Sequence, residues 1–330
     1  MTRCRDRFGA KNWVALLILA LAGCNNGGGD NGAPPPVLSI FVADTFNHRL
    51  AAVADISGTG WTALGGPASG SGESEFFLPN DSTVDAAGRI YVADGGNNRI
   101  VRMDDMTGAG WAALGGPASG SGVGEFNYPL DVALDAQGRI YVADGVNNRV
   151  VRMDDMSGLN WKVLTADPGN GSDQLVYPAG IAIHPTNGIY IADLSNSRIV
   201  HVLDIDGTGW ETFGIKGGSI GEFTFLQDVA VDPAGKIYVA DSGNSRIVRM
   251  DTMTGTGWIS LGGFGTGVGQ FGSPGCLFVE PSGEIHVVDG QNNRVVLVEN
   301  IETGATGWQT LGGPASGNEE REFNRPCAKD

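Results

Sequence analysis

One short phrase recurs six times at nearly constant spacing: FVAD (41–44), YVAD (91–94), YVAD (141–144), YIAD (190–193), YVAD (238–241) and HVVD (286–289). From one closing Asp to the next the steps are 50, 50, 49, 48 and 48 residues. A period of that size marks a repeat architecture. Each unit is too small to bury a core alone, so its neighbours must cover its faces. Residues 129–164 show what a unit contains. PLDVALD (129–135), RIYVAD (139–144), RVVRM (149–153) and WKVL (161–164) are short β-rich runs parted by Gly, Asn and Asp turns. No helical period interrupts them, so the unit reads as an antiparallel meander. Four strands per period of about 40–50 residues is the pattern of a propeller blade.

Three marks repeat within the units: the P-x-D-V-A-x-D strand, the G-R-I-Y-V-A-D strand, and a D-x-x-N-x-R link after it. The link recurs six times, as in Asp94/Asn97/Arg99 and Asp144/Asn147/Arg149. In this wording the chain resembles the NHL family across residues 38–326. The resemblance implies an all-β, six-bladed β-propeller of four-stranded antiparallel blades over residues 37–330. The outer strands add one Trp each: Trp61, Trp111, Trp161, Trp210, Trp258 and Trp308. The first unit departs from the pattern, since it lacks a P-x-D-V-A-x-D strand. The missing lead-in reappears at 322–326 (EFNRP). A short terminal loan of this kind implies a weak first blade, held mainly by its neighbours. A Cys276–Cys327 bridge would staple the seam, provided adjacent blades hold the two Cα atoms within disulfide reach.

The first 36 residues have a different character. Arg3, Arg5, Arg7 and Lys11 precede an apolar run at 13–22 (WVALLILALA), too short to span a bilayer comfortably. It ends in Leu21-Ala22-Gly23-Cys24, which resembles the bacterial lipobox. This implies a lipoprotein signal peptide at 1–23, lipidation of Cys24, and a flexible Gly/Asn/Pro tether at 24–36. The expected location is the bacterial cell envelope, periplasmic or facing outward from the outer membrane. Asn25, rather than Asp, after the lipidated Cys is compatible with sorting to the outer membrane.

The whole chain carries a net charge of −16, with 21 basic and 37 acidic residues. Loss of residues 1–23 removes four basic and one acidic residue, leaving 17 against 36, a net charge of −19. Such a surface disfavours nucleic acid and does not adhere to anionic lipid. The lipid is then the membrane attachment.

Three aspartates, Asp81, Asp131 and Asp228, share one place near the start of an inner strand, where Gly180 and Cys276 stand in two other blades. Carboxylates converging on a channel mouth suit a hard cation such as Ca2+. They equally suit hydrogen bonds from the next blade's backbone, the reading we favour. The six D-x-x-N-x-R links and the Trp row are read as blade-building features, because they occur in every unit. The four histidines, His48, His184, His201 and His286, fall at unrelated positions and do not converge on one metal. No nucleophile elbow, P-loop or dinucleotide fingerprint is present. The fourth unit diverges most, with Gly180, His184 and His201.

These readings favour a lipid-anchored binding or scaffold module for a protein, peptide or envelope polymer, without a cofactor. The alternative is a divalent-cation-dependent propeller hydrolase, lactonase or lyase at the acidic channel mouth.

Overall fold

The computed structural model describes residues 40–165, 167–313 and 315–327. The expected signal peptide, the lipid site Cys24 and the tether lie outside the described residues. The rest is an all-β six-bladed propeller. Five blades carry four antiparallel strands each. In blade 3 these are Pro129–Leu134, Ile140–Asp144, Arg149–Met153 and Lys162–Leu164, numbered outward from the channel. Blade 1 has three: Ile40–Asp44, Arg49–Val53 and Thr62–Gly65.

The second strands explain why the units cannot stand alone. Every residue of Ile140–Asp144 is buried, because both faces of the blade are covered. Side chains alternate across a strand, and the two sets go to different cores. Ile140 and Val142 pack with Tyr91, Ala93 and Ile100 of blade 2. Tyr141 and Ala143 pack with Ile181, Ile189 and Ile191 of blade 4. Six such layers follow one another, and the sixth joins blade 6 to blade 1 through Val295, Leu311, Ile40 and Val42.

The link is a single 3-10 turn between the second and third strands, such as Gly145–Asn147. Its side chains form one buried network. Asp144 Oδ2 accepts from Asn147 Nδ2 at 2.8 Å and from Arg149 Nε at 2.7 Å. Its Oδ1 accepts the Asn127 N–H at 2.7 Å. Arg149 then donates to the carbonyls of Ser121 and Glu125, and Asn147 to that of Gly120. A Gly/Ser-rich loop is thus pinned by the link of the blade it leads into. In blade 2, Asp94, Asn97 and Arg99 hold the carbonyls of Gly70, Ser71 and Glu75 in the same way.

The Trp row belongs to this clamp. Phe126 of the loop packs on Trp161 at 5.5 Å between ring centroids, and the Arg149 guanidinium lies 5.7 Å from the Trp161 ring centroid. Trp61, Trp111, Trp258 and Trp308 back a loop Phe and an Arg in the same way. In blade 4 Leu175 takes the place of the loop Phe.

The seam uses the same parts. Asp44, Asn47 and Arg49 of blade 1 clamp the chain's far end. Asn47 donates to the Gly317 carbonyl, Arg49 to the carbonyls of Glu319 and Glu322, and Asp44 Oδ1 accepts the Asn324 N–H. Phe323 is fully buried against Trp61. The lent strand itself is brief: Cys327 N–H donates to the Ala43 carbonyl at 2.8 Å. The Cys276–Cys327 disulfide spans the same seam with its Cα atoms 5.9 Å apart, inside the range a disulfide needs.

Asp144→Ala, which strands the buried Arg149, is expected to cost about 3–5 kcal/mol in chemical denaturation. Arg89→Ala, which breaks the half-exposed Arg89–Asp85 pair, is expected to cost under about 1 kcal/mol. Cys276→Ser opens a loop closed over a separation of 51 residues and is expected to lower stability by roughly 4 kcal/mol on the chain-entropy account. Thiol titration of the denatured, unreduced protein is expected to find neither Cys276 nor Cys327 free.

Candidate functional site

The loops between blades and the 3-10 links lie together on one face, around one mouth of the central channel. Backbone contacts tie them, for example the Gly96 N–H to the Phe77 carbonyl at 2.8 Å and the Gly243 N–H to the Thr224 carbonyl at 2.8 Å. A channel of about 550 Å³ runs from this mouth and is lined by the inner strands.

Asp81, Asp131 and Asp228 all line the channel. Asp131 Oδ2 accepts the Ile181 N–H of blade 4 at 2.7 Å. Asp228 Oδ2 accepts the Leu277 N–H of blade 6 at 2.7 Å, and its Oδ1 accepts the Val229 N–H at 2.9 Å. Asp131 and Asp228 therefore each stitch one inner strand to the next. Gly180 fits this scheme: a Cβ there would come within 2.3 Å of Asp228 Oδ1, so only glycine admits that carboxylate. Among the described residues, one group of three His, Cys, Asp or Glu side chains has its ligand atoms within 4.8 Å of one another, namely Asp81, Cys276 and Cys327. Its two sulfurs are joined to each other, which removes them as thiolate ligands. Asp81, Asp131 and Asp228 are not drawn together to that distance.

The opposite end of the channel is built from the turn after each inner strand. Asp135 Oδ1 accepts the N–H groups of Gln137 and Arg139, and its Oδ2 accepts from Arg139 Nε at 2.6 Å and the Tyr141 hydroxyl at 3.1 Å. Asp232 and Tyr238 repeat the motif in blade 5. Blade 4 replaces this Asp with His184, whose Nδ1 accepts the N–H groups of Thr186 and Asn187. In blade 6 the Tyr–Asp pair becomes His286–Glu280, at 2.8 Å. His201 stacks on Tyr190, with ring centroids 4.5 Å apart. The divergent residues of blade 4 thus take over turn-building and packing roles.

Burial pushes the carboxyls of Asp44, Asp94, Asp144, Asp193 and Asp241 above their ordinary value, against the Asn, Arg and backbone donors that pull them down. Desolvation that outweighs strong donors marks an ion pair that specifies geometry more than it adds net stability.

The sequence reading missed the residue at the entry to the inner-strand position of five blades, all but blade 6. Leu78, Tyr128, Tyr177, Phe225 and Arg325 all sit at positive φ, between 43° and 56°. Large side chains avoid this left-handed region, and holding one there costs on the order of 1–3 kcal/mol. The link of the preceding blade fixes four of them: His48 Nδ1 accepts the Leu78 N–H at 3.2 Å, Asn98 Oδ1 that of Tyr128 at 2.9 Å, Asn148 Oδ1 that of Tyr177 at 3.0 Å, and Asn293 Oδ1 that of Arg325 at 2.8 Å. The result is a ring of bulky side chains around the mouth. Phe225 is 61% exposed. Phe46, Phe77, Val146 and Phe264 add exposed apolar surface from the same loops and links. A groove of about 520 Å³ crosses blades 4 to 6 on this face, bounded by Tyr177, Leu194, Phe225, Phe264, Ser242 and Gln291. For Leu78, Tyr128, Tyr177 and Arg325 the available signal was a bulky residue immediately before a Pro; Phe225, followed by Leu226, carries no such mark.

Three segments, residues 126–153, 175–202 and 223–250, match the profile of the NHL repeat. No curated protein matches the chain by sequence. Among solved structures, a chain of a nidogen/laminin complex superposes with a TM-score of 0.61 at 18% identity, covering 80% of this chain and 89% of that one. A gluconolactonase from Xanthomonas campestris gives 0.56 at 15% identity, covering 77% and 80%. Virginiamycin B lyase from Staphylococcus aureus gives 0.51 at 14% identity, covering 76% and 74%. At these identities the likeness is one of fold.

The tyrosines at the far end of the channel supply a pH test. Burial, and then the neighbouring Asp135 and Asp232 charges, push Tyr141 and Tyr238 from the usual 10 to about 12. The folded value lies above the unfolded one, so the stability carried by these neutral phenols is complete below pH 10 and is lost as pH rises through about 12. Ultraviolet phenolate titration is expected to show two late-ionising tyrosines at these positions. Asp135→Asn is expected to bring Tyr141 only part of the way back, because burial is the larger cause.

Proposed function

We propose that this NHL-repeat propeller is a binding module, held in the bacterial cell envelope by a lipid on Cys24, whose loop-and-link face docks a protein, peptide or envelope polymer. One observation carries the reading. The face that exposes Phe46, Phe77, Val146, Phe225 and Phe264 is also the face whose loops are fixed by six buried Asp–Asn–Arg networks. Apolar side chains displayed on immobilised loops lose little entropy when a partner covers them, and scaffolded loops are the usual home of recognition. The nidogen/laminin neighbour comes from a complex between proteins, which is compatible with docking on a propeller of this shape. The acidic charge keeps nucleic acid out of consideration.

The enzymatic alternative, a cation-dependent hydrolase, lactonase or lyase, draws on the lyase and gluconolactonase neighbours. It requires carboxylates directed at a metal and a substrate. Asp131 and Asp228 are directed instead at the backbone of the next blade, which weighs against it.

Capture from solubilised bacterial envelope on the immobilised full chain tests the proposal. A component is expected that is retained by the wild type and lost by Phe77→Glu and Val146→Glu, both exposed substitutions that leave the melting curve intact. Retention unaffected by either change would overturn the reading. Calorimetric titration of the metal-stripped protein with Ca2+ is expected to be silent. Heat that disappears in Asp131→Asn and Asp228→Asn would restore the cation-dependent alternative.

A further inference from the structure

The groove across blades 4 to 6 has a composition unlike the rest of the chain. Among the residues that line it there is no Lys, Arg, His, Asp or Glu, although the protein carries a net charge of −16. Its walls are aromatic. Phe225 and Phe264 are 61% and 73% exposed, and Tyr177 stands on the channel side, half-buried.

The backbone beneath these rings is constrained. Phe225 and Tyr177 occupy the left-handed backbone conformation described above. Phe264 takes the place held by Pro in the LGGP runs of other units, and its loop is laced by short bonds. Gly263 N–H donates to the Ser245 carbonyl, Phe271 N–H to that of Gly263, and Gly265 N–H to that of Phe271. Asn292 closes the loop through the Gly265 carbonyl. An apolar ring on so constrained a backbone is solvent-exposed without being mobile for want of contacts.

The polar groups of the groove narrow the occupant. Four of its backbone donors are already engaged: Gly243 N–H with the Thr224 carbonyl, Ser245 N–H with that of Ser242, and the Gly272 and Ser273 N–H groups with Asp289 Oδ1. An extended peptide would find no strand edge to pair with, and main-chain pairing is what holds such peptides. Ser242 and Ser245 donate their hydroxyl protons inward, to the carbonyls of Pro274 and Gly272. Both hydroxyls are nearly buried, and Ser242 Oγ also lies 3.4 Å from Ser273 Oγ, so the lone pairs they offer a guest are confined to the groove floor. Gln291, exposed at the rim, brings both a donor and an acceptor. The site therefore presents flat apolar faces, hydroxyl acceptors and an amide, without charge. This set complements a molecule with C–H faces and many neutral hydroxyls.

We propose that the groove bounded by Tyr177, Phe225, Phe264, Ser242, Ser245 and Gln291 binds a neutral glycan, with sugar rings laid on the Phe225 and Phe264 faces. The inference rests on the binding-module reading and names the polymer class for it. Binding comes from stacking and neutral hydrogen bonds, so it requires no metal and responds weakly to salt.

Isothermal titration of the purified full chain with short neutral oligosaccharides, namely glucan, xylan and N-acetylglucosamine series, tests this. At least one series is expected to bind, equally well with a chelator and at raised salt. Phe225→Ala and Phe264→Ala are each expected to weaken binding about tenfold or more, as loss of an aromatic anchor does. Val123→Ala, exposed on the loop ahead of blade 3, is expected to leave it unchanged. Phe264→Ala removes a solvent-facing ring, so it remains informative if Phe225→Ala fails to fold. No bound neutral sugar, binding confined to acidic sugars, or binding insensitive to Phe264→Ala would each overturn the glycan assignment. If envelope capture then still depends on Phe77 and Val146, only the glycan assignment falls; if capture fails too, the binding-module reading falls with it.

Discussion

The buried Asp–Asn–Arg staple is the interaction on which the rest of this molecule depends. A loop rich in Gly and Ser has backbone carbonyls to satisfy and few side chains to do it with. The guanidinium of Arg149 meets two carbonyls of the preceding loop while its Nε holds Asp144. Asp144 in turn takes an N–H from the same loop. Placing charges inside a protein is costly, and burial raises the Asp carboxyls despite their donors. What the network provides is one loop conformation out of many. Repeated around the ring, it turns six flexible connections into one rigid rim.

That rigidity is what allows the mouth to carry strained residues. A Tyr or Phe in the left-handed region persists only when its surroundings over-determine it. Asn98 and Asn148 do so by accepting the N–H of Tyr128 and Tyr177. These links thus govern two loops each, the one before their own blade and the one before the next. The seams between blades, rather than the blades themselves, set where exposed aromatic side chains stand.

Much of the fold was legible in the residues. The six phrases, their period and the D-x-x-N-x-R link lead to six blades, and alternation in RIYVAD leads to strands covered on both faces. The role of Asp131 toward the next blade's backbone was readable as one of two options, since a carboxylate serves either a cation or an N–H. The binding groove was not legible. Phe225 and Tyr177 look like ordinary loop apolars until their φ values are known, and Phe264 looks like an irregular substitution for Pro. Their meeting depends on three blades packed side by side, a relation that no local pattern expresses. The grip of Arg49 on Glu322 was equally hidden, because 273 residues separate them.

That last contact has a bearing on how the chain is made. Arg49 comes early in the chain and its partner loop 273 residues later, so the first blade must wait, three-stranded and with one flank bare, until residues 317–327 can reach it. Blades 2 to 5 can meanwhile dock in order, each on its predecessor, as stacked repeats do. The entropy of joining such distant ends grows only slowly with their separation, so the penalty falls on timing rather than on the finished product. During that interval the uncovered edge of strand Ile40–Asp44 is open to mispairing with other chains, a hazard that ends when Phe323 settles beneath Trp61.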